Sequence, residues 1–217
     1  MDVKKWVVGF VLFLLVSACA QGEPPNSNPD GTVNCSYRVS GQAAKPTDPP
    51  PQGRVPATGE VVVTMQMGGA PVTITLDRSK APCTVNSFES LAKQGYFDGT
   101  ACHRLSTQGI FILQCGDPTG TGRGGPGYVF NDELGQTRDY PAGTVAMANS
   151  GPNTNGSQFF FVYQDTPLPP QYTVFGTIDQ ASVQHITDIA FLGHDGRYPD
   201  RTGFPNGEAT ITGVSVG

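Results

Sequence analysis

Two runs in which apolar and polar residues alternate, 60–67 and 70–76, meet at Gly68-Gly69 and predict a β-hairpin. Residues 77–82 read as a turn. From 84 to 94 the period becomes helical: Val85, Phe88, Leu91 and Ala92 share one face, and Gly95 closes the segment. Short apolar stretches at 101–105, 110–115, 128–130, 144–148, 158–162 and 173–178 read as strands. A second helical stretch, 182–192, runs into a loop rich in Gly and Asp, and a last strand covers 209–214. Many short strands, two helices and no βαβ rhythm predict a mainly β domain over 59–217, a closed antiparallel barrel capped by two α-helices. No internal repeat is visible.

The pattern before residue 59 differs in kind. Lys4 and Lys5 precede an apolar stretch, 6–16, followed by Ser17-Ala18-Cys19. A positive start, a short apolar run and small residues at the end predict a signal segment over 1–18. The run is too short for a spanning helix, which needs about 20 apolar residues. Val16-Ser17-Ala18-Cys19 resembles a bacterial lipobox, whose cysteine is lipidated and starts the mature chain. The expectation is an exported protein anchored to the outer face of a bacterial cell membrane by a lipid on Cys19, held by more than one acyl chain. A short membrane anchor, or a plain signal peptide with an incidental Cys19, is the alternative. Residues 19–58 carry prolines at 24, 25, 29, 46, 49, 50, 51 and 56 and predict an extended, semi-stiff tether. Within it, residues 33–39 alternate like a strand and include Cys35, so this piece can dock on the domain.

Composition agrees with a turn-rich β protein: 28 Gly, 19 Pro and only 14% charged residues in 217. With a net charge of −5, nothing in the composition looks like a nucleic-acid footprint, which needs a basic face.

The chemistry concentrates in residues 143–161, Gly-Thr-Val-Ala-Met-Ala-Asn-Ser-Gly-Pro-Asn-Thr-Asn-Gly-Ser-Gln-Phe-Phe-Phe. Two strands flank a loop of Asn, Gly, Pro and Ser, whose side chains bond to nearby backbone. Carboxamides (Asn149, Gln158) beside an aromatic (Phe160) make an apolar floor with polar rims, the make-up of a small-ligand or peptide site. This run resembles the signature of the cyclophilins, the peptidyl-prolyl cis–trans isomerases (rotamases). A second block, His103-Arg104-Leu105, Gly109-Ile110-Phe111-Ile112-Leu113-Gln114 and Gly116-Asp117, is similar to that family's His-Arg … Gly-Phe-x-x-Gln-Gly-Gly-Asp segment. Further matches fall at 81–88, 95–99, 122–128 and 172–176, in order across about 59–216. The resemblance implies an eight-stranded barrel with a helix over each mouth.

It also implies an activity on X-Pro bonds that needs no cofactor and no metal. Twisting the amide faces a barrier of roughly 18–20 kcal/mol and takes tens to hundreds of seconds unaided. An enzyme must grip the ring and place a donor near the pyramidalised nitrogen, because only binding specific to the twisted state accelerates the step. By resemblance, Arg104 is the donor, with Phe111 and Gln114 beside it in the catalytic group. Phe111, Ile112, Phe160 and Leu168 form the proline pocket. Gln114, Asn149 and Gln158 hold the substrate backbone, Ala148 lines the next subsite, and Tyr172 sits at the pocket edge. Core packing alone is the plainer account of Ile112 and Leu168. Partners implied are proline-containing peptides and unfolded exported proteins, bound by a monomer. A binder on the same fold that does not catalyse is the alternative, and Arg104 is the residue that separates the two. A hydrolase using His103 beside Ser106 or Ser157, oriented by Asp117, lacks the Gly-x-Ser-x-Gly elbow.

Three departures stand out. Two extra residues lie between Arg104 and Gln114, which reshapes the tip at 106–109. Cys115 replaces the glycine after the glutamine. Residues 165–170 lack the tryptophan of cyclosporin-sensitive relatives, and the only Trp in the chain is Trp6. Weak cyclosporin binding follows. With Cys19 lipidated, Cys35, Cys83, Cys102 and Cys115 remain, with three possible pairings or free buried thiols. A hairpin of 102–105 with 111–115 would bring Cys102 to Cys115 and leave Cys35 to staple the tether to Cys83. No cysteine or histidine spacing fits zinc.

Overall fold

The computed structural model describes residues 27–135 and 139–217. The leader expected over 1–18 and the lipid site Cys19 lie outside the described residues. The elements are β1 (Thr32–Cys35), β2 (Arg38–Ala43), β3 (Gly53–Pro56), β4 (Glu60–Met67), β5 (Ala70–Asp77), α1 (Pro82–Lys93), β6 (Thr100–Ala101) and β7 (Arg104–Gln108). They continue with β8 (Ile110–Cys115), β9 (Pro126–Val129), β10 (Thr144–Met147), β11 (Phe159–Val162), β12 (Val174–Ile178), α2 (Gln180–Phe191) and β13 (Thr210–Val216).

Nine strands form one antiparallel sheet in the order β6-β13-β4-β5-β12-β10-β11-β8-β7. This corrects the expected closed eight-stranded barrel: among the described residues the ladder has nine members and no pairing joins its two ends, so the sheet curls as an open half-barrel. The reason lies in the chain itself. β6 and β7 are separated only by Cys102 and His103, so the ends meet through covalent continuity instead of a ladder. The outer edge of β7 is taken by a loop residue, with Leu105 N–H donating to the Gly203 carbonyl at 2.7 Å and Gly203 N–H donating back at 3.2 Å. Such pairing blunts an otherwise open edge.

The core sits inside the curl. Period-two alternation on β4 and β5 turns Val61, Val63, Met65, Met67, Val72, Ile74 and Leu76 inward. α1 lays Val85, Phe88, Leu91 and Ala92 over it, and the Phe88 ring lies 4.9 Å from Phe97, 5.2 Å from Phe159 and 5.3 Å from Phe175. β10 and β11 are buried at every position, which is why their sequence shows no alternation. α2 is capped by its own Asp179, which accepts from Ser182 N–H at 2.7 Å. α1 has no side-chain cap of its own. Glu133 supplies one from a distant loop, accepting from Cys83 N–H at 2.9 Å, Thr84 N–H at 2.8 Å and the Thr84 hydroxyl at 2.7 Å. Burial raises the Glu133 pKa in spite of those bonds.

Residues 32–56 are folded, so an extended, semi-stiff tether does not describe them, and the strand-like piece at 33–39 docks on the domain as expected. β1 pairs with β3, and β2 pairs with β9. Cys35 is bonded to Cys83 in the first turn of α1. Val33, Cys35, Tyr37, Val55 and Ala57 are buried in the main core. Tyr37 donates to the Cys83 carbonyl at 2.9 Å, and Lys45 donates to the Gly95 and Asp98 carbonyls at 2.6 and 2.8 Å, just past the C-terminus of α1. A cation there complements the helix dipole. Prolines do not prevent this docking, because the apolar residues between them bury enough surface to hold an arm against a preformed helix.

Candidate active site

Register places one row of side chains across β7, β8, β11 and β10. Arg104 on β7 is opposite Gln114 on β8, Gln114 is opposite Phe160 on β11, and Phe160 is opposite Ala146 on β10. Two residues along β8, Ile112 joins the same face opposite Val162. Ile112, Tyr140, Ala146, Phe160 and Val162 form an apolar cluster separate from the main core, with Ala148, Leu168, Tyr172 and Val174 packed against it. Tyr172 stands edge-on to Phe160, centroids 5.5 Å apart, and the Tyr140 hydroxyl fixes it by accepting from Tyr172 N–H and donating to Tyr172 O, both at 3.1 Å. This is a floor of five of the expected residues: Ile112, Ala148, Phe160, Leu168 and Tyr172.

The polar rim is a chain of directed hydrogen bonds. Arg104 Nη1 donates to Gln114 Oε1 at 3.3 Å, Gln114 Nε2 donates to Gln158 Oε1 at 2.9 Å, and Gln158 Nε2 donates to the Gly124 carbonyl at 2.9 Å. Each amide is oriented by its neighbour, and chains of this kind polarise one another. Asn149, on the far rim, donates to the Gln171 carbonyl at 2.9 Å and accepts from Gly151 N–H at 3.2 Å. The Arg104 side chain is 26% exposed and makes an ion pair of 2.9 Å with Asp200, whose side chain is 51% exposed. A groove of about 430 Å³ lies beside it, lined by His103, Arg104, Gln114, Thr121, Gly122, Tyr198, Pro199 and Asp200.

Phe111 is placed apart from the floor. As the residue between Ile112 and Ile110 it faces the other side of β8, packs against the main core and meets the Tyr163 ring edge-on at 6.0 Å. Its backbone still ties the site, since Phe111 N–H donates to Thr166 Oγ1 at 2.9 Å. Cys115 is bonded to Cys102 at the base of the β7–β8 hairpin, directly after Gln114 and two residues before Arg104, with Cα atoms 4.0 Å apart. Gly116, at φ +88°, is where a Cβ would lie 2.2 Å from the Ser157 carbonyl, so only glycine lets β8 run this close to the signature loop.

The hydrolase arrangement is absent. Ser106 donates to the Ile110 carbonyl at 2.9 Å, Ser157 to the Gly116 carbonyl at 2.7 Å, and Asp117 accepts from Thr119 and Gly124. Among the described residues neither ring nitrogen of His103 has a hydrogen-bond partner. Burial holds the His103 pKa below its usual value, and the imidazole is a neutral core group. Burial acts on Asp117 in the opposite sense, but the bonds from Thr119 and Gly124 prevail and its pKa is lowered. Among the described residues no cluster of three His, Cys, Asp or Glu could hold a metal ion, and no helix is long and apolar enough to cross a membrane.

Thr202 and Asp200 are not legible in the sequence as site residues. Their one sequence signal is the Asp-x-Thr spacing of a local side-chain turn, in a loop read only as rich in Gly and Asp.

A family described as the cyclophilin type peptidyl-prolyl cis-trans isomerase/CLD matches residues 62–216, and the chain belongs to it. The chain is similar to the probable peptidyl-prolyl cis-trans isomerase B of Mycobacterium tuberculosis, 48% identical over 197 residues, which cover 84% of this chain and 63% of that one. The Mycobacterium leprae protein of the same name is 49% identical over 173 residues, covering 73% of this chain and 59% of the relative. The match thus spans less than two thirds of the length of these curated relatives. Among solved structures, a Cryptosporidium parvum cyclophilin type peptidyl-prolyl cis-trans isomerase superposes with a TM-score of 0.63 at 30% identity, covering 73% of this chain and 98% of that chain. The structure of that protein in the presence of the dipeptide Ala-Pro gives 0.61 at the same identity, over 72% and 98%.

Proposed function

We propose that the chain is a peptidyl-prolyl cis–trans isomerase acting on exported proteins. The observation that carries this reading is the row in which the Arg104 guanidinium bonds Gln114 and Gln114 lies opposite Phe160, a member of an apolar floor with Ile112, Leu168 and Tyr172. The floor suits a proline ring, and the rim amides of Gln114, Gln158 and Asn149 suit the flanking peptide groups. Arg104 then donates to the ring nitrogen once twisting has made it basic, a bond available in neither planar state. With a proline seated on Phe160, rotation falls to the residue before it. No covalent step, proton transfer or resident group takes part.

A protease-coupled assay on an X-Pro peptide tests this, with wild type and Arg104→Ala compared. Removing the donor is expected to lower kcat/KM by at least about 100-fold, on the scale of lost oxyanion-type donors. Equal rates would leave a proline-peptide binder.

We further propose residues 1–18 as a signal segment, Cys19 as the lipidated residue and the outer membrane face as the site of action. The leader pattern supports this, and so do two disulfides in the folded part, which belong to an oxidising compartment. Labelling of cells with an alkyne fatty acid tests it: signal lost in Cys19→Ala supports lipidation, and signal retained refutes it.

A further inference from the structure

Arg104 carries five N–H donors in one rigid plane. The edge formed by Nε and Nη2 is closed by a single loop: Nε donates to Thr202 Oγ1 at 3.1 Å and Nη2 to Asp200 Oδ2 at 2.9 Å. The Thr202 hydroxyl donates in turn to Asp200 Oδ1 at 2.6 Å, and the Thr202 backbone N–H donates to the same oxygen at 3.2 Å. Guanidinium, hydroxyl and carboxylate thus make a ring in which the hydroxyl hydrogen is committed to Asp200 and its lone pair to Arg104. Only Nη1 turns the other way, toward Gln114.

The loop is constructed to present these two side chains. Tyr198 N–H donates to the Thr202 carbonyl and Arg201 N–H to the Tyr198 carbonyl, both at 3.0 Å. Arg201 sits between the two ligands of the guanidinium at φ +62°, a left-handed conformation uncommon for a residue with a Cβ. Such a conformation persists where surrounding contacts fix it, and here it turns Asp200 and Thr202 toward the same guanidinium edge. Thr202 is 3% exposed, and the next residue, Gly203, pairs with Leu105 on β7, the strand that carries Arg104. The Tyr198 hydroxyl adds a bond of 3.2 Å to the His103 carbonyl.

We propose that Asp200 and Thr202 are positioning residues for isomerisation. They lock the plane of the Arg104 guanidinium with Nη1 turned toward Gln114 and leave its remaining donors for substrate, without touching substrate themselves. This rests on the isomerase reading above and names the part of the chain that sets its donor. Because the floor is untouched, the effect falls on kcat, where misaiming of a transition-state donor is read, and not on KM.

The test measures kcat and KM for wild type, Arg104→Lys, Asp200→Ala, Thr202→Val, Thr202→Ser and the double variant Arg104→Lys/Asp200→Ala, with thermal melts for each. Asp200→Ala and Thr202→Val are expected to lower kcat about tenfold, the scale of a lost hydrogen bond to a charged group, with KM within about twofold. Thr202→Ser keeps the hydroxyl and retains wild-type kcat. Asp200→Ala added to Arg104→Lys changes kcat by less than about twofold, because residues acting as a unit are not additive. Unchanged kcat in both Asp200→Ala and Thr202→Val overturns the proposal, as does full additivity in the double variant or a loss confined to KM. If Thr202→Val does not fold, the half-exposed Asp200 carries the test alone. A wild type no faster than the uncatalysed peptide overturns the isomerase reading itself, which separates the two failures.

Discussion

Gln114 and Gln158 are joined carboxamide to carboxamide across β8 and β11, Gln114 Nε2 to Gln158 Oε1 at 2.9 Å, and the direction of that bond is set from both ends. Arg104 makes the Gln114 oxygen an acceptor, and the Gly124 carbonyl makes the Gln158 nitrogen a donor. Neither amide can flip without losing two bonds.

Gln114→Leu therefore removes an acceptor from Arg104 and a donor from Gln158 at once. A fall in kcat/KM of about tenfold is expected, from roughly 1.5 kcal/mol for a hydrogen bond to a charged group. Gln114→Glu keeps the acceptor but not the donor and should lose less. Steady-state kinetics decide, and equal losses in the two variants would place the effect in packing.

Phe160 carries the floor, 2% exposed between Gln114 and Ala146 and edge-on to Tyr172. Phe160→Ala is expected to raise KM well above wild type and to cost about 3–5 kcal/mol of stability as a buried aromatic truncation. Denaturant melts with peptide titration check both. A variant with lowered stability and unaltered peptide affinity would mean the ring is core only.

The disulfides close loops of different length, 48 residues apart for Cys35–Cys83 and 13 for Cys102–Cys115. On chain-entropy grounds their removal costs about 4 and 3 kcal/mol. Cys102→Ser/Cys115→Ser should also slow catalysis, because the bond closes the hairpin that holds Arg104 opposite Gln114. Cys35→Ser/Cys83→Ser should lower the melting point and leave kcat unaltered. Melts and kinetics on the two pairs, and mass spectrometry of non-reduced peptides, provide the check.

His103 makes stability fall in acid. Burial lowers its folded pKa below 6.5, so the unfolded chain takes up the proton first as the pH drops. Its contribution is intact above pH 6.5 and is lost as the pH falls from there toward the folded pKa, at no more than about 1.4 kcal/mol per pH unit. Melting points between pH 7.5 and 5 should decline in wild type and decline less steeply in His103→Asn. Parallel slopes would remove His103 from the account.

Cyclosporin is expected to bind weakly, since residues 165–170 offer Pro and Leu where sensitive relatives carry an indole donor. Calorimetry checks this, and a dissociation constant in the low nanomolar range would contradict it.

Much of the fold is written in periodicity. The strand read over 110–115 is β8 itself, and the hairpin at Gly68-Gly69 joins β4 to β5. The first helix begins at Pro82, two residues before the apolar spacing starts, because Pro suits its first turn and Glu133 caps it from a loop about 50 residues away. The strand read at 128–130 is β9, shifted toward Pro126 by pairing with β2 in the arm, a partner hidden in what composition marks as tether. At the site, the motif positions include the Ile112, Phe160, Leu168 and Tyr172 floor. They also include Phe111, which strand alternation turns to the opposite face. The Asp200–Arg104 pair joins residues 96 apart, and no local pattern encodes a contact made by tertiary closure.

The docked arm changes how far the domain can stand from an anchor. Were residues 19–58 a free leash, a lipid on Cys19 would leave the catalytic face more than 100 Å of extended chain to roam, at about 3.3–3.6 Å per residue. The arm is tied down from Asn28, whose N–H donates to the Thr32 carbonyl at 2.6 Å. Eight residues, 20–27, separate Cys19 from Asn28, a reach of at most about 30 Å at full extension. An isomerase held that close would sample segments at the membrane surface as they emerge and leave distant ones alone.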